Sequence, residues 1–112
     1  MDFIVNQQNA TAIIKTNVER LNASNASELK AELILLNKGS INNIVIDMSK
    51  TRYCDSSGLS AILVANRLCK DTNGRFVLCG LNENVSKLIS IAQLDKVFTI
   101  VASEADALAE LK

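Results

Sequence analysis

Apolar positions along the chain follow two periods, and the chain switches between them in a regular order. "FIVNQQNATAIIKTNV" sets β-branched residues on both sides of a polar turn near Asn6 to Asn9. It predicts two strands, over 3–5 and 11–18, joined as a hairpin. "NASNASELKAELILLNKGS" then carries Leu29, Leu33 and Leu36 as a stripe at helical spacing. Asn22 or Ser24 can cap this helix, Glu28 falls in an early turn, and Gly39 follows its end. "NNIVIDM" is a short apolar run of the kind found in strands buried on both faces. A second helix is predicted over 57–71, stopping at Asn73 and Gly74, and "RFVLCG" is the next strand. "NENVSKLISIAQL" reads as a third helix with Val85, Leu88, Ile89 and Ala92 on one side. "VFTIV" is a last strand, and "SEADALAELK" a terminal helix with Ser103 and Asp106 in capping-box spacing.

The order is therefore β-β-α-β-α-β-α-β-α. Strands that alternate with helices pair in parallel through right-handed crossovers, and the opening hairpin adds an antiparallel edge. The expectation is an α/β fold with a mixed, mostly parallel sheet and helices packed mainly on one face. At 112 residues the chain suits one domain, 1–112.

The second helix raises a question of its own. At about 100° per residue, Ala61, Val64, Ala65, Leu68 and Cys69 fall together as a core face, with Ile62 at its edge. Ser60, Asn66, Arg67, Lys70 and Asp71 fall opposite, but Leu59 and Leu63 lie within that polar arc. If the helical phase extends back to Ser56, then Ser56, Leu59, Ser60, Leu63 and Arg67 form one surface strip. Apolar side chains bordered by polar ones are a mark of docking surfaces; a loop or the terminal helix covering the leucines is the alternative. At the head of the same helix stands "DSSG", residues 55–58. Asp55 or Ser56 suits an N-cap. Gly58 is poor in a helix, by about 1 kcal/mol against alanine, so its presence implies a close approach to the backbone there.

Charge and composition narrow the chemistry. Twelve basic residues balance twelve acidic ones, and no basic run offers a nucleic-acid surface. The apolar run "AILVA" is far short of the roughly 18–20 residues of a membrane span. "MDFIVNQQNA" lacks the form of a signal peptide, so a cytoplasmic protein with no membrane insertion is expected. Cys54, Cys69 and Cys79 show no CxxC spacing, and the chain has no histidine. The cysteines read as small buried thiols rather than metal ligands, and no cofactor is expected. Without histidine the ordinary serine triad is unavailable, so Ser56 and Ser57 are not expected to be catalytic nucleophiles. Asp47, at a strand end, is expected to be satisfied by loop N–H groups.

The segment "IVIDMSKTRYCDSSGLSAILVANRLCKDTNGRFVLCGLNENVSKLISIAQLDKVFTI", residues 44–100, resembles the STAS domain, and in particular the bacterial anti-sigma factor antagonists. The resemblance rests on a hydrophobic strand ending in an aspartate, a loop, D-S-[ST]-G-L, an apolar helix, a glycine, a strand and a short helix. It implies a binding switch rather than an enzyme. A partner that is both anti-sigma factor and serine kinase would phosphorylate the first hydroxyl residue after the motif aspartate, here Ser56. The unmodified form would hold that partner and free a sigma factor, the phosphorylated form would release it, and a serine phosphatase would reset the cycle. The partner-binding residues so implied are Asp55, Ser57 and Gly58 of the motif, Leu59, Ser60, Leu63 and Arg67 of the helix, and Asn22 in a neighbouring loop. At that loop many family members carry Gly-Glu-Leu-Asp, whereas this chain has Glu19-Arg20-Leu21-Asn22, a departure that bears on partner identity. A STAS subunit of another assembly, such as a lipid-transport ABC system or a stressosome, is the alternative. A small nucleotide-binding or phosphatase-like enzyme using Asp47 or Asp55 lacks a phosphate loop, a metal cluster or a histidine to support it.

Overall fold

The computed structural model describes residues 2–111. Its elements run β1 (Phe3–Gln8), β2 (Thr11–Thr16), β3 (Arg20–Leu21), α1 (Ala26–Lys38), β4 (Asn43–Asp47), β5 (Tyr53–Cys54), α2 (Ser56–Asp71), β6 (Phe76–Cys79), α3 (Glu83–Ile91), β7 (Thr99–Val101) and α4 (Glu104–Glu110). Five strands form one sheet in the order β1-β2-β4-β6-β7. β1 and β2 pair antiparallel from Phe3↔Thr16 to Gln8↔Thr11, and every other neighbour in this sheet is parallel. The mixed sheet with an antiparallel hairpin is the one the sequence pattern predicts.

The middle of β4, Ile44 to Ile46, and all of β6 are apolar and buried because both of their faces are covered. Ala12, Ile14, Ile44, Ile46, Phe76 and Leu78 join Leu29, Leu33 and Leu36 of α1, Ala61, Ile62 and Ala65 of α2, and Val85 and Ile89 of α3 in the main core. Residues one step along each strand point the other way, since side chains alternate across a strand. Ile13, Val45, Val77 and Cys79 therefore form a second, smaller cluster beneath Ala107, Leu108 and Leu111 at the chain's end. Three helices thus cover one face and α4 the other.

The two-residue strands β3 and β5 pair in parallel as a separate ledge, Arg20↔Tyr53 and Leu21↔Cys54. The ledge is tied to the main sheet through buried hydroxyls. Thr51 donates to the Val18 carbonyl at 2.7 Å, and Thr16 lies 2.7 Å from the Thr51 oxygen. The Arg52 and Tyr53 N–H groups both donate to the Glu19 carbonyl, at 2.9 and 3.1 Å, and Asp55 N–H to the Leu21 carbonyl at 3.2 Å. Asn82, the cap of α3, donates from Nδ2 to the Arg52 carbonyl at 3.0 Å. These bonds fix where α2 begins.

Element limits differ from the sequence pattern at several ends. β1 runs on through polar Gln8, because its ladder to β2 continues although its side chains are exposed. α1 starts after Asn25, and neither Asn22 nor Ser24 caps it: Asn22 Oδ1 instead accepts from the N–H and the hydroxyl of Ser24. Asn25 braces the same turn, its Nδ2 donating to the Arg20 carbonyl at 2.8 Å. α4 is capped as its spacing predicts, with Ser103 Oγ accepting from Asp106 N–H at 3.2 Å.

Candidate functional site

The head of α2 is built on Asp55. Its backbone is extended, and its Oδ1 accepts from Ser57 N–H at 2.9 Å and Gly58 N–H at 3.1 Å. These are two of the four N–H groups that a helix start leaves unpaired. Asp55 is thus the cap and Ser56 the first helical residue, one position earlier than the sequence spacing predicts. Ser56 is exposed, and its hydroxyl forms no hydrogen bond among the described residues.

Gly58 answers the question its sequence position raises. It is buried, and a Cβ added there would stand 2.6 Å from the Leu21 carbonyl oxygen and 2.7 Å from Cys54 Sγ. The close neighbour of its backbone is the chain's own ledge. Cys54 shares that contact. Burial, and then the charge of Asp55, push its thiol up to about 11, so it stays protonated and inert. Cys69 and Cys79 are buried and free, pushed up to about 11 and about 12 chiefly by desolvation.

Seating Gly58 inward turns α2 from the orientation its large residues suggest. Its buried face is Gly58, Ala61, Ile62, Ala65 and Cys69, while Val64 and Leu68 are only half-buried. Leu59 is half-buried against the main core and leaves the outward ridge. What remains outside is Ser56, Ser60, Leu63 and Arg67, with Leu63 38% exposed. Two shallow hollows flank this ridge and meet at Ser60. One, of about 530 Å³, is lined by Ser60, Leu63, Val64, Asn66, Arg67, Lys70 and Asp71. The other, of about 380 Å³, lies between the heads of α1 and α2 and is lined by Ala23, Ala26, Ser27, Lys30, Ser56, Ser57 and Ser60.

Beside this ridge stands a feature with no counterpart in the periodicity. The Arg20 guanidinium lies 4.5 Å from the centre of the Tyr53 ring, a cation stacked on an exposed aromatic. Both line a smaller hollow with Asn22 and Asp55. Asn22 is therefore near the head of α2, as the sequence suggests, although its side-chain oxygen is committed to Ser24. Arg20 is visible in the sequence as a departure from the family; its stack on Tyr53 depends on β3–β5 pairing.

Asp47 lies at the end of β4, and its Oδ1 accepts from Ser49 N–H at 2.9 Å, the loop satisfaction its position predicts. Burial raises its pKa, but hydrogen bonds from Glu104 and Ser49 and the charge of Lys15 outweigh this and leave it lowered. Glu104, bonded to Asp47 and 3.5 Å from Lys15 Nζ, is raised, first by that hydrogen bond and then by desolvation. This pair lies with α4 and belongs to its packing. Among the described residues no cluster of three or more cysteine or carboxylate side chains is placed to hold a metal, and no helix is long and apolar enough to cross a membrane.

Residues 3–107 match the STAS domain family. A Bordetella bronchiseptica protein named "Putative anti-sigma factor antagonist BtrV" is 30% identical over 93 residues, 82% of this chain and 79% of its own length. The anti-sigma factor antagonist SpoIIAA in its unphosphorylated form shares the fold with a TM-score of 0.84, at 19% identity over 96% of this chain and 94% of that one. The Bacillus cell fate determinant SpoIIAA in its phosphorylated form gives a TM-score of 0.78 at 19% identity, over 98% and 99%.

Proposed function

The chain belongs to the STAS domain family, and from that premise we propose that it is an anti-sigma factor antagonist whose grip on its partner is switched by phosphorylation of Ser56. The observation that carries this reading is the setting of Ser56. It is an exposed, unbonded hydroxyl at the first position of α2, beside an apolar ridge residue, Leu63, that the fold leaves uncovered. The names of the Bordetella relative and of SpoIIAA, known in phosphorylated and unphosphorylated forms, support it.

The partner is an anti-sigma factor that is also a serine kinase. In the unmodified state Leu63, Ser60 and Arg67 meet it, and Asp55, Ser57 and Asn22 border the contact. Gly58 and Leu59 act from beneath, by setting the height and angle of the helix head. When the kinase acts, the Ser56 hydroxyl loses its proton and its oxygen bonds to the γ-phosphorus of ATP as ADP leaves. About −1.5 to −2 units of charge then stand on the ridge. Docking again would desolvate that charge against a surface shaped for a neutral hydroxyl. A loss of about 3 kcal/mol corresponds to roughly a hundredfold weaker binding. No refolding is required, because Ser56 is exposed and no bond of the cap involves its side chain. A serine phosphatase restores the binding form.

The test is incubation with candidate serine-kinase anti-sigma factors and ATP, followed by mapping of the modified residue. Phosphate on Ser56, absent in Ser56→Ala, is expected. Stable binding to a transporter ATPase with no phosphate transferred would overturn the reading in favour of another assembly.

A further inference from the structure

We infer that the hollow between α1 and α2 is an internal phosphoryl site and that Lys30 is its counter-ion, an assignment that rests on the phosphorylation of Ser56 proposed above. Ser56 and Lys30 line the same hollow, together with the serines at 27, 57 and 60. Ser27 and Lys30 are three residues apart on α1 and so share a face. Ala23 and Ala26 fill the remaining wall with small side chains, which keeps the hollow open. Lys30 is half-buried, yet no hydrogen bond or ion pair engages it among the described residues. A half-buried lysine lining a hollow with four serines, with no anionic partner among the described residues, is an incomplete arrangement. A phosphoryl group on Ser56 completes it: three acceptor oxygens meet the ammonium and hydroxyl donors.

The other charges near this site are few. Asp55 contributes a carboxylate at the helix head, with Oδ1 bonded to two N–H groups. Arg67, Lys70 and Asp71 line the adjoining hollow beyond Ser60. Among the described residues, Lys30 is the only cation lining the hollow that contains Ser56. The phosphate folds back into this hollow instead of standing in solvent. It then occupies space next to Ser60 that is open to a partner in the unmodified protein, so release has a steric part as well as an electrostatic one.

The experiment places phosphoserine at position 56 by genetic suppression, without any kinase, and follows its second ionisation by ³¹P NMR. Opposite charge favours the dianion. The phosphate of the otherwise native chain should ionise about half a pH unit below that of Lys30→Gln. Lys30→Arg should restore the lower value, and Lys70→Gln should leave it in place. Coincident titrations for the native chain and Lys30→Gln would overturn the assignment. So would a shift in Lys70→Gln as large as that in Lys30→Gln, which would mean a diffuse field rather than a site. Because the phosphoserine is installed directly, these outcomes are independent of whether any kinase modifies Ser56. Unmodified Lys30→Gln should melt with the native chain, which shows that the shift does not come from a disturbed fold.

Discussion

Gly58→Ala tests the seat of the α2 head. In an isolated helix this change stabilises by up to about 1 kcal/mol, because alanine loses less backbone entropy. Here the new methyl would meet the Leu21 carbonyl oxygen at 2.6 Å, Cys54 Sγ at 2.7 Å and Leu21 Cγ at 2.9 Å. The closest approach is roughly 1 Å short of the ~3.5 Å at which non-bonded atoms are comfortable. One of these neighbours is backbone, held because the same carbonyl accepts from Asp55 N–H. The helix head must therefore lift, which also lengthens the Gly58 N–H bond to Asp55 Oδ1, already 3.1 Å. Overpacking costs about 1–3 kcal/mol and a weakened cap up to about 1 kcal/mol. The net expectation is a loss of about 2 kcal/mol, or roughly 8 °C in melting temperature for a domain of this size. Urea denaturation should show a lower midpoint with an unchanged slope. Gly39→Ala is the control. Its nearest neighbour is 3.5 Å away and its φ is −84°, so alanine there should be neutral or mildly stabilising. A Gly58→Ala protein as stable as the native chain would refute the reasoning.

Further outcomes follow from the same geometry. Asp55→Ala should cost about 1 kcal/mol in urea denaturation through loss of the cap, whereas Asp55→Asn should retain most of it. Leu63→Glu should leave stability within about 0.5 kcal/mol yet weaken partner binding, read by calorimetry, by roughly tenfold or more. The pH dependence of stability should carry the mark of the Asp47–Glu104 pair. Glu104 is raised in the folded state, so its contribution is complete below its unfolded value and fades as pH rises through its folded one. Asp47 is lowered, so its contribution is lost as pH falls through its folded value. Glu104→Gln, measured against the native chain across pH, should gain relative stability at neutral pH and lose that advantage below about pH 4; a constant difference would contradict the raised Glu104 carboxyl.

Strand alternation and helical stripes made the main sheet and all four helices legible, because each buries enough apolar surface to leave a period in the sequence. β3 and β5 left none: two residues carry no periodicity, and the pair exists only because Glu19 and Leu21 carbonyls meet N–H groups thirty or more residues away. The core face of α2 is legible in outline, and its exact centre is not, for a related reason. Ala61, Ala65 and Cys69 are buried as the pattern predicts, but the close seat of Gly58 centres the buried face between them and Ile62, leaving Val64 and Leu68 half-buried. Leu59 went inward with them. Ser56, Ser60, Leu63 and Arg67 could be grouped from the sequence because they share one helix. Lys30 could not, since only the packing of α1 beside α2 brings it to Ser56.

The central claim is that a neutral hydroxyl at position 56 permits docking and a phosphate there forbids it. The most direct measurement is titration of the cognate serine-kinase anti-sigma factor with two samples of this chain, unmodified and fully phosphorylated at Ser56, at one ionic strength. Binding roughly a hundredfold weaker for the phosphorylated sample, with melting temperatures alike, is the predicted result. Equal affinities for the two samples would contradict it.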